Sequence, residues 1–291
     1  MSDFADAVER VWPGSEARVE VLGGGITNHN LKVEVDGGQF VLRVAGKDTG
    51  LLGIDRSVEL AATKAAAAAG IGPEVIAFVE PEGWLVTRFI AGEIPPMERM
   101  REPVMLSRVA RALRAIHDGA PIPGAFDSFR VVETYRETAL GRGGTLPAAF
   151  EWAHGVAGRI EAKRSADAAV PCHNDLLNAN FLDDGVRLCI VDWEYAGMGD
   201  RFFDLANFSI NHELDSAQSE SLLAAYFGEA READAQALEL MRFMSDFREA
   251  MWGVVQSAVS ELDFDFDAYA SEHFERLRRT AESPAFTAAL S

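Results

Sequence analysis

The spacing of apolar residues changes once along this chain, and the change falls near residue 90. Before it, short alternating or β-branched runs at 17–22, 31–35, 39–44, 74–79 and 84–89 read as strands. Turn-forming groups separate them: Gly23-Gly24-Gly25-Ile26-Thr27-Asn28, Asp36-Gly37-Gly38 and Glu80-Pro81-Glu82-Gly83. One alanine-rich helix interrupts the strands at 57–69 and stops at Gly70. After Gly92 and Pro95-Pro96, helical spacing takes over at 104–117, 129–140, 146–166, 217–227, 233–262 (with a break allowed) and 266–282. Residues 170–208 stand apart as short apolar strands and loops. The predicted class is α+β, with a small β-rich N-terminal lobe over 1–91 and a larger helical C-terminal lobe over 92–291.

Charge narrows the range of partners. The chain carries 46 acidic and 27 basic residues, a net charge of −19. Such a surface repels nucleic acid and anionic membranes, because binding a phosphate backbone needs clustered Lys and Arg. It favours cations, so an anionic cosubstrate has to be held by local devices: backbone N–H groups, one or two placed cations, and metal ions. The first dozen residues are acidic and amphipathic rather than basic and then apolar, and no apolar run approaches membrane-spanning length. The expected location is cytoplasmic. Cys172 and Cys189 imply neither a disulfide framework nor a CxxC metal site, and are expected as reduced thiols packed in strands.

The segment richest in chemistry is His173-Asn174-Asp175-Leu176-Leu177-Asn178-Ala179-Asn180, followed by Asp192 at the end of an apolar run. It matches the H-x-D-x-x-x-x-N pattern of kinase catalytic loops, with an aspartate on the next strand. Phosphoryl transfer needs a carboxylate to accept the hydroxyl proton, and Asp175 suits that role. It also needs oxygen ligands to hold Mg²⁺ against the phosphates of ATP, which Asn180 and Asp192 offer. His173 is expected to brace the loop. An isolated Asn-Asp is ordinarily a turn, but all four residues in order, flanked by apolar strands, favour the kinase reading.

His173 to Leu182, Asp192-Trp193-Glu194-Tyr195-Ala196-Gly197 and Asp200 to Asn207 resemble the choline/ethanolamine kinase family, within the broader aminoglycoside-phosphotransferase-like kinases. Gly23 to Asn28, Phe40 to Val44, Trp252 to Gln256 and Phe264 to Tyr269 extend the likeness over most of the chain. The resemblance implies a protein-kinase-like bilobal fold with ATP between the lobes. It places Gly24, Gly25, Thr27 and Asn28 at the phosphates, Arg43 on them as a forked cation, and Glu59 as the partner of Arg43, with Lys47 and Arg56 as competitors. Asp204 and Arg201 are expected to join the metal loop to the helical lobe as an ion pair.

For the acceptor, the resemblance implies a cationic small molecule held by Trp252 and Tyr269, with Glu194 and Asn207 nearby. Two positions depart from the eukaryotic choline kinase pattern: Glu249 stands where a second tryptophan is usual, and Asn211 where an acid is usual. A carboxylate at 249 suits an ammonium that donates hydrogen bonds, as in ethanolamine. Asp246 reads equally well as part of an exposed helix face. A kinase for an aminoglycoside, thiamine or a sugar remains open, as does a homodimer. A regulatory pseudokinase is disfavoured, because base, metal ligands and phosphate cation are all present.

Overall fold

In the computed structural model, residues 4–23, 28–46, 49–164 and 168–291 are described. Helix α1 (Ala5–Val11) precedes strands β1 (Arg18–Leu22), β2 (Asn28–Val35) and β3 (Gly38–Ala45), then α2 (Arg56–Ala68), β4 (Val75–Val79) and β5 (Trp84–Arg88). The strands form one antiparallel sheet in the order β1-β2-β3-β5-β4. Its register is set at the β2–β3 turn, where Asp36 (φ 50°) and Gly37 (φ 74°) are both left-handed, the pair of conformations a two-residue hairpin needs. Leu31, Val33, Leu42 and Val86 bury one face of the sheet against Ala7 and Val8 of α1, a small core of its own.

Helix α2 is capped by Asp55, whose side chain accepts from the N–H groups of Ser57 and Val58. Its Ala62 and Ala66 do not join the sheet's core. They pack with Leu52, Ile54 and Ile71 into the larger core of the helical part. Tyr135 donates its hydroxyl to Leu52 O at 3.1 Å, and Ile190 N donates to Ile71 O at 2.6 Å.

The remainder comprises α3 (Met97–Met100), α4 (Pro103–His117), α5 (Ser128–Gly141), α6 (Phe150–Lys163), β6 (Val170–Cys172), β7 (Phe181–Asp183), β8 (Leu188–Ile190), β9 (Gly197–Gly199), α7 (Arg201–Asn211), α8 (Ser216–Phe227), α9 (Glu232–Val259), α10 (Phe266–Glu282) and α11 (Pro284–Leu290). Three expectations need correcting. The stretch 170–208 is not all strands and loops, since α7 begins at Arg201 behind an Asp200 cap that accepts from Phe202 N. Helix α9 runs 28 residues without a break. Helix α6 starts at Phe150, later than the periodicity suggested. Cys172 and Cys189 are buried free thiols in β6 and β8. Among the described residues no helix is long and apolar enough to cross a membrane.

The connection after β5 is fastened to the helical part chiefly through Glu93, with Pro95 O accepting from Asn178 Nδ2 at 3.1 Å. Glu93 and Asp183 exchange backbone hydrogen bonds, and the Asp183 carboxylate takes both Arg108 nitrogens and Arg99 Nη2 at 2.8 Å each. Hydrogen bonds from Arg108 and the backbone of Gly185 hold this carboxyl down at about 2. The folded form is therefore favoured above the unfolded carboxyl's value near 4, and that contribution is lost as pH falls toward 2. Asp183→Ala is expected to lower stability at pH 7 by about 2 kcal/mol and to flatten the acid limb of a denaturation series between about pH 4 and pH 2. An unchanged acid limb would remove the clasp from the account.

Candidate active site

Strand β6 delivers the chain into the His173 to Asn180 loop, and α7 holds that loop from beneath. Asp204, fully buried, accepts from His173 N at 2.8 Å and Asn174 N at 2.7 Å, and contacts His117 Nε2 at 3.0 Å. Burial works against its charge, but these donors keep its carboxyl below the ordinary range. The expected Arg201–Asp204 ion pair is therefore not what joins loop to lobe, because backbone N–H groups and His117 take both carboxylate oxygens. Asn207 is also fully buried, accepting from Leu176 N and donating to Ser245 Oγ at 2.9 Å. Both ends of its amide are thus engaged under the loop. His173 stacks edge-on to Trp193, contacts Val191 O through Nε2 at 2.9 Å and accepts from Asp175 N through Nδ1 at 3.2 Å. Burial lowers its pKa, so the neutral ring with its proton on Nε2 satisfies both contacts.

Asp175 follows Asn174, whose φ of 67° turns the chain and aims the aspartate into the site. Asn180 donates through Nδ2 to Asp175 O at 2.8 Å, so its amide oxygen is the end left for a cation. Burial first, then the like charges of Glu249, Asp192 and Glu194, push the Asp175 carboxyl up to about 8 against the pull of Arg248. Arg248 Nη1 stands 3.6 Å from Asp175 Oδ1.

On the sheet side, Arg43 contacts Glu59 and lies 3.0 Å from Asp192 and 4.0 Å from Glu194. Burial opposes its charge, but the three carboxylates outweigh it and raise its pKa. Arg56 joins the cluster, reaching Glu59 at 2.6 Å, Glu194 at 3.2 Å and Asn28 Oδ1 at 2.8 Å, while Asn28 Nδ2 donates to Glu194 at 2.8 Å. Glu194, expected near the acceptor, bonds to this cation cluster. Asp192, like Asn174, is left-handed (φ 67°), and the Ile190–Ile71 bond pins the strand that presents it. Gly24, Gly25, Thr27 and the competing Lys47 lie outside the described residues.

Between sheet and helices lies a cleft of about 580 Å³. Leu22, Val41, Leu85, Phe89 and Ile90 form apolar walls, and Arg43, Asn180 and Asp192 border it. Apolar walls with a few polar groups at one end suit a planar base carrying a charged tail.

On the other side of Asp175 the helical part supplies a second set. Glu249 is held by Tyr269 OH at 3.0 Å and by Arg248, and Trp252 Nε1 donates to Tyr195 OH at 2.9 Å. The rings of Trp252 and Tyr269 meet edge to face at 5.5 Å. Asp246 is fully buried, not on an exposed face, and pairs with His273 and Arg276. Arg276 also reaches Asn211 at 3.2 Å. Sequence reasoning passed over Arg248 and Tyr195. The available signal was the density of large apolar residues in α9 (Leu240, Met241, Phe243, Met244, Phe247 and Met251), which surrounds Asp246, Arg248 and Glu249 and makes those three charges interior.

The sequence profile of the APH phosphotransferase enzyme family matches residues 18–242. Protein LicA of Haemophilus influenzae is 26% identical over 270 residues, covering 87% of this chain and 76% of its own length. Ethanolamine kinase 2 of Mus musculus is 27% identical over 299 residues, 91% of this chain and 76% of that protein. The crystal structure of a choline/ethanolamine kinase family protein from Mesorhizobium loti aligns with a TM-score of 0.84 at 35% identity, over 99% of this chain and 97% of that one. The chain therefore belongs to the choline/ethanolamine kinase family, within the phosphotransferase enzyme family.

Proposed function

We propose that this chain transfers the γ-phosphate of ATP to the hydroxyl of a small amino alcohol of the choline or ethanolamine type. The observation that carries the proposal is the position of Asp175, with Asn180 on one side and the Glu249–Tyr269–Trp252 group on the other. The nucleotide fits the apolar cleft, and Arg43, braced by Glu59, is the cation for its phosphates. An amide oxygen on Asn180 and carboxylate oxygens on Asp192 are the hard donors Mg²⁺ prefers, and Asp192 Oδ1 is buried with the Arg43 guanidinium 3.0 Å away. Bound there, Mg²⁺ would neutralise phosphate charge. Asp175 orients the acceptor hydroxyl and takes its proton, and a carboxyl pushed up to about 8 is a competent acceptor near neutral pH.

The acceptor's amine belongs beside Glu249 and the faces of Trp252 and Tyr269, a carboxylate and two rings suited to a cation. A carboxylate wall favours an ammonium with N–H donors, so ethanolamine is expected to outrun choline. The test is an ADP-release assay with Mg²⁺ and ATP over choline, ethanolamine, their methylated intermediates, thiamine and aminoglycosides. Turnover with the amino alcohols, abolished by EDTA and restored by Mg²⁺, is the expected result. Turnover with aminoglycosides alone would move the acceptor class, and none with any alcohol would favour a pseudokinase.

A further inference from the structure

Arg248 is buried at 1% exposure in the acceptor half of the site, away from the nucleotide cleft. Its guanidinium lies over the Tyr195 ring at 4.5 Å, contacts Glu249, donates to Asn174 O at 3.1 Å and stands 3.6 Å from Asp175. Its Nε is buried without a hydrogen-bond partner. An aromatic face and a buried carboxylate beside the base are the surroundings a cationic alcohol requires. Here they enclose a cation that belongs to the chain.

Resting on the amino-alcohol reading, we propose that Arg248 is the resident occupant of the acceptor's cation subsite, and that the acceptor's ammonium binds by displacing its guanidinium from Glu249. Two cations cannot share one buried carboxylate without strong mutual repulsion, because little water screens them there. The other carboxylate oxygen of Glu249 already accepts from Tyr269, so the oxygen that Arg248 holds is the one whose release frees an ion-pair partner for an ammonium. The displaced guanidinium keeps partners, since Asn174 O and the Asp175 carboxylate are both close by. Exchange would then give the ionised base a counter-ion as the hydroxyl arrives. Without acceptor, the guanidinium fills space next to the base and leaves less room for a water nucleophile.

The consequence is competition inside the protein, so that the apparent acceptor affinity is reduced by the fraction of molecules in which Arg248 holds Glu249. Arg248→Met is expected to lower the acceptor KM about tenfold at saturating ATP and Mg²⁺, by removing the competitor. It is also expected to raise ATP hydrolysis in the absence of acceptor. In Arg248→Ala, added guanidinium chloride at low millimolar concentration should compete with the acceptor, raising KM and leaving kcat unchanged. A structural role alone would not improve KM. An acceptor KM that stays level or rises in Arg248→Met, with guanidinium restoring kcat in Arg248→Ala instead of competing, would overturn the proposal.

Should the truncations fail to fold, wild type decides the matter. A crystal structure with a non-hydrolysable ATP analogue and ethanolamine should show the ammonium on Glu249 and the guanidinium moved off it. An ammonium bound while Arg248 still holds Glu249 would refute displacement. Wild type that phosphorylates none of the amines would instead refute the amino-alcohol reading itself, so the two failures are distinct.

Discussion

Asp175→Asn is expected to lower the phosphoryl-transfer rate by about three orders of magnitude while leaving nucleotide binding intact. The same change should make the protein more stable. Asp175 is buried among Glu249, Asp192 and Glu194, and its carboxyl is pushed up to about 8. An unfolded aspartate titrates near 4, so the fold prefers the protonated form. That preference contributes in full below about pH 4 and is lost as pH rises toward 8. The amide never carries the charge, so the variant's melting temperature at pH 8 should exceed the wild type's by roughly 10 °C, with the gap closing toward pH 4. Single-turnover kinetics and a pH series of thermal melts check both parts. Retained activity would remove Asp175 as the base, and equal melting temperatures at pH 8 would remove the electrostatic cost assigned to it.

The second large effect is expected at Asp204. Asp204→Ala strips two backbone donors and His117 of a fully buried acceptor. Breaking such a charge-assisted set costs about 3–5 kcal/mol. Urea denaturation should show this as a lower midpoint, and limited proteolysis should cut within 173–180 long before it cuts wild type. Asp204→Asn keeps one acceptor oxygen and turns an NH₂ toward donors, so it should fall between. A wild-type midpoint for Asp204→Ala would mean that the loop is held by something else.

The sheet and its turns were legible because local chemistry decides them. Asp36-Gly37 permits the one backbone geometry that closes a two-residue hairpin, and β2 and β3 pair in the register it dictates. The Arg43–Glu59 contact was legible for a different reason: each charge is embedded in an apolar element, so each needs a partner indoors. Burial misled elsewhere. Asp246, Arg248 and Glu249 stand together as a charged run that looks solvated, yet α5, α7, α10 and α11 pack around α9 and enclose all three. Asn207 was legible as a polar position, and only the fold shows its amide bonded to Leu176 and Ser245 under the loop. Helix α7 starts behind the Asp200 cap, a signal masked by the short apolar runs of 170–208.

The seating of α2 has a mechanical consequence. Because Ala62 and Ala66 are packed into the helical body, and Leu52 and Ile71 are tied to Tyr135 and Ile190, α2 is anchored to that body as well as to β4. Arg43 stands on the sheet, and Asp192 and Glu194, which it meets, stand on the helical body. Any swing of the sheet that admits a nucleotide has to be taken up across the Arg43 contacts with Asp192 and Glu194, which makes that cluster a tension gauge for closure. A cleft that opens without stretching it would have to bend within β3 instead.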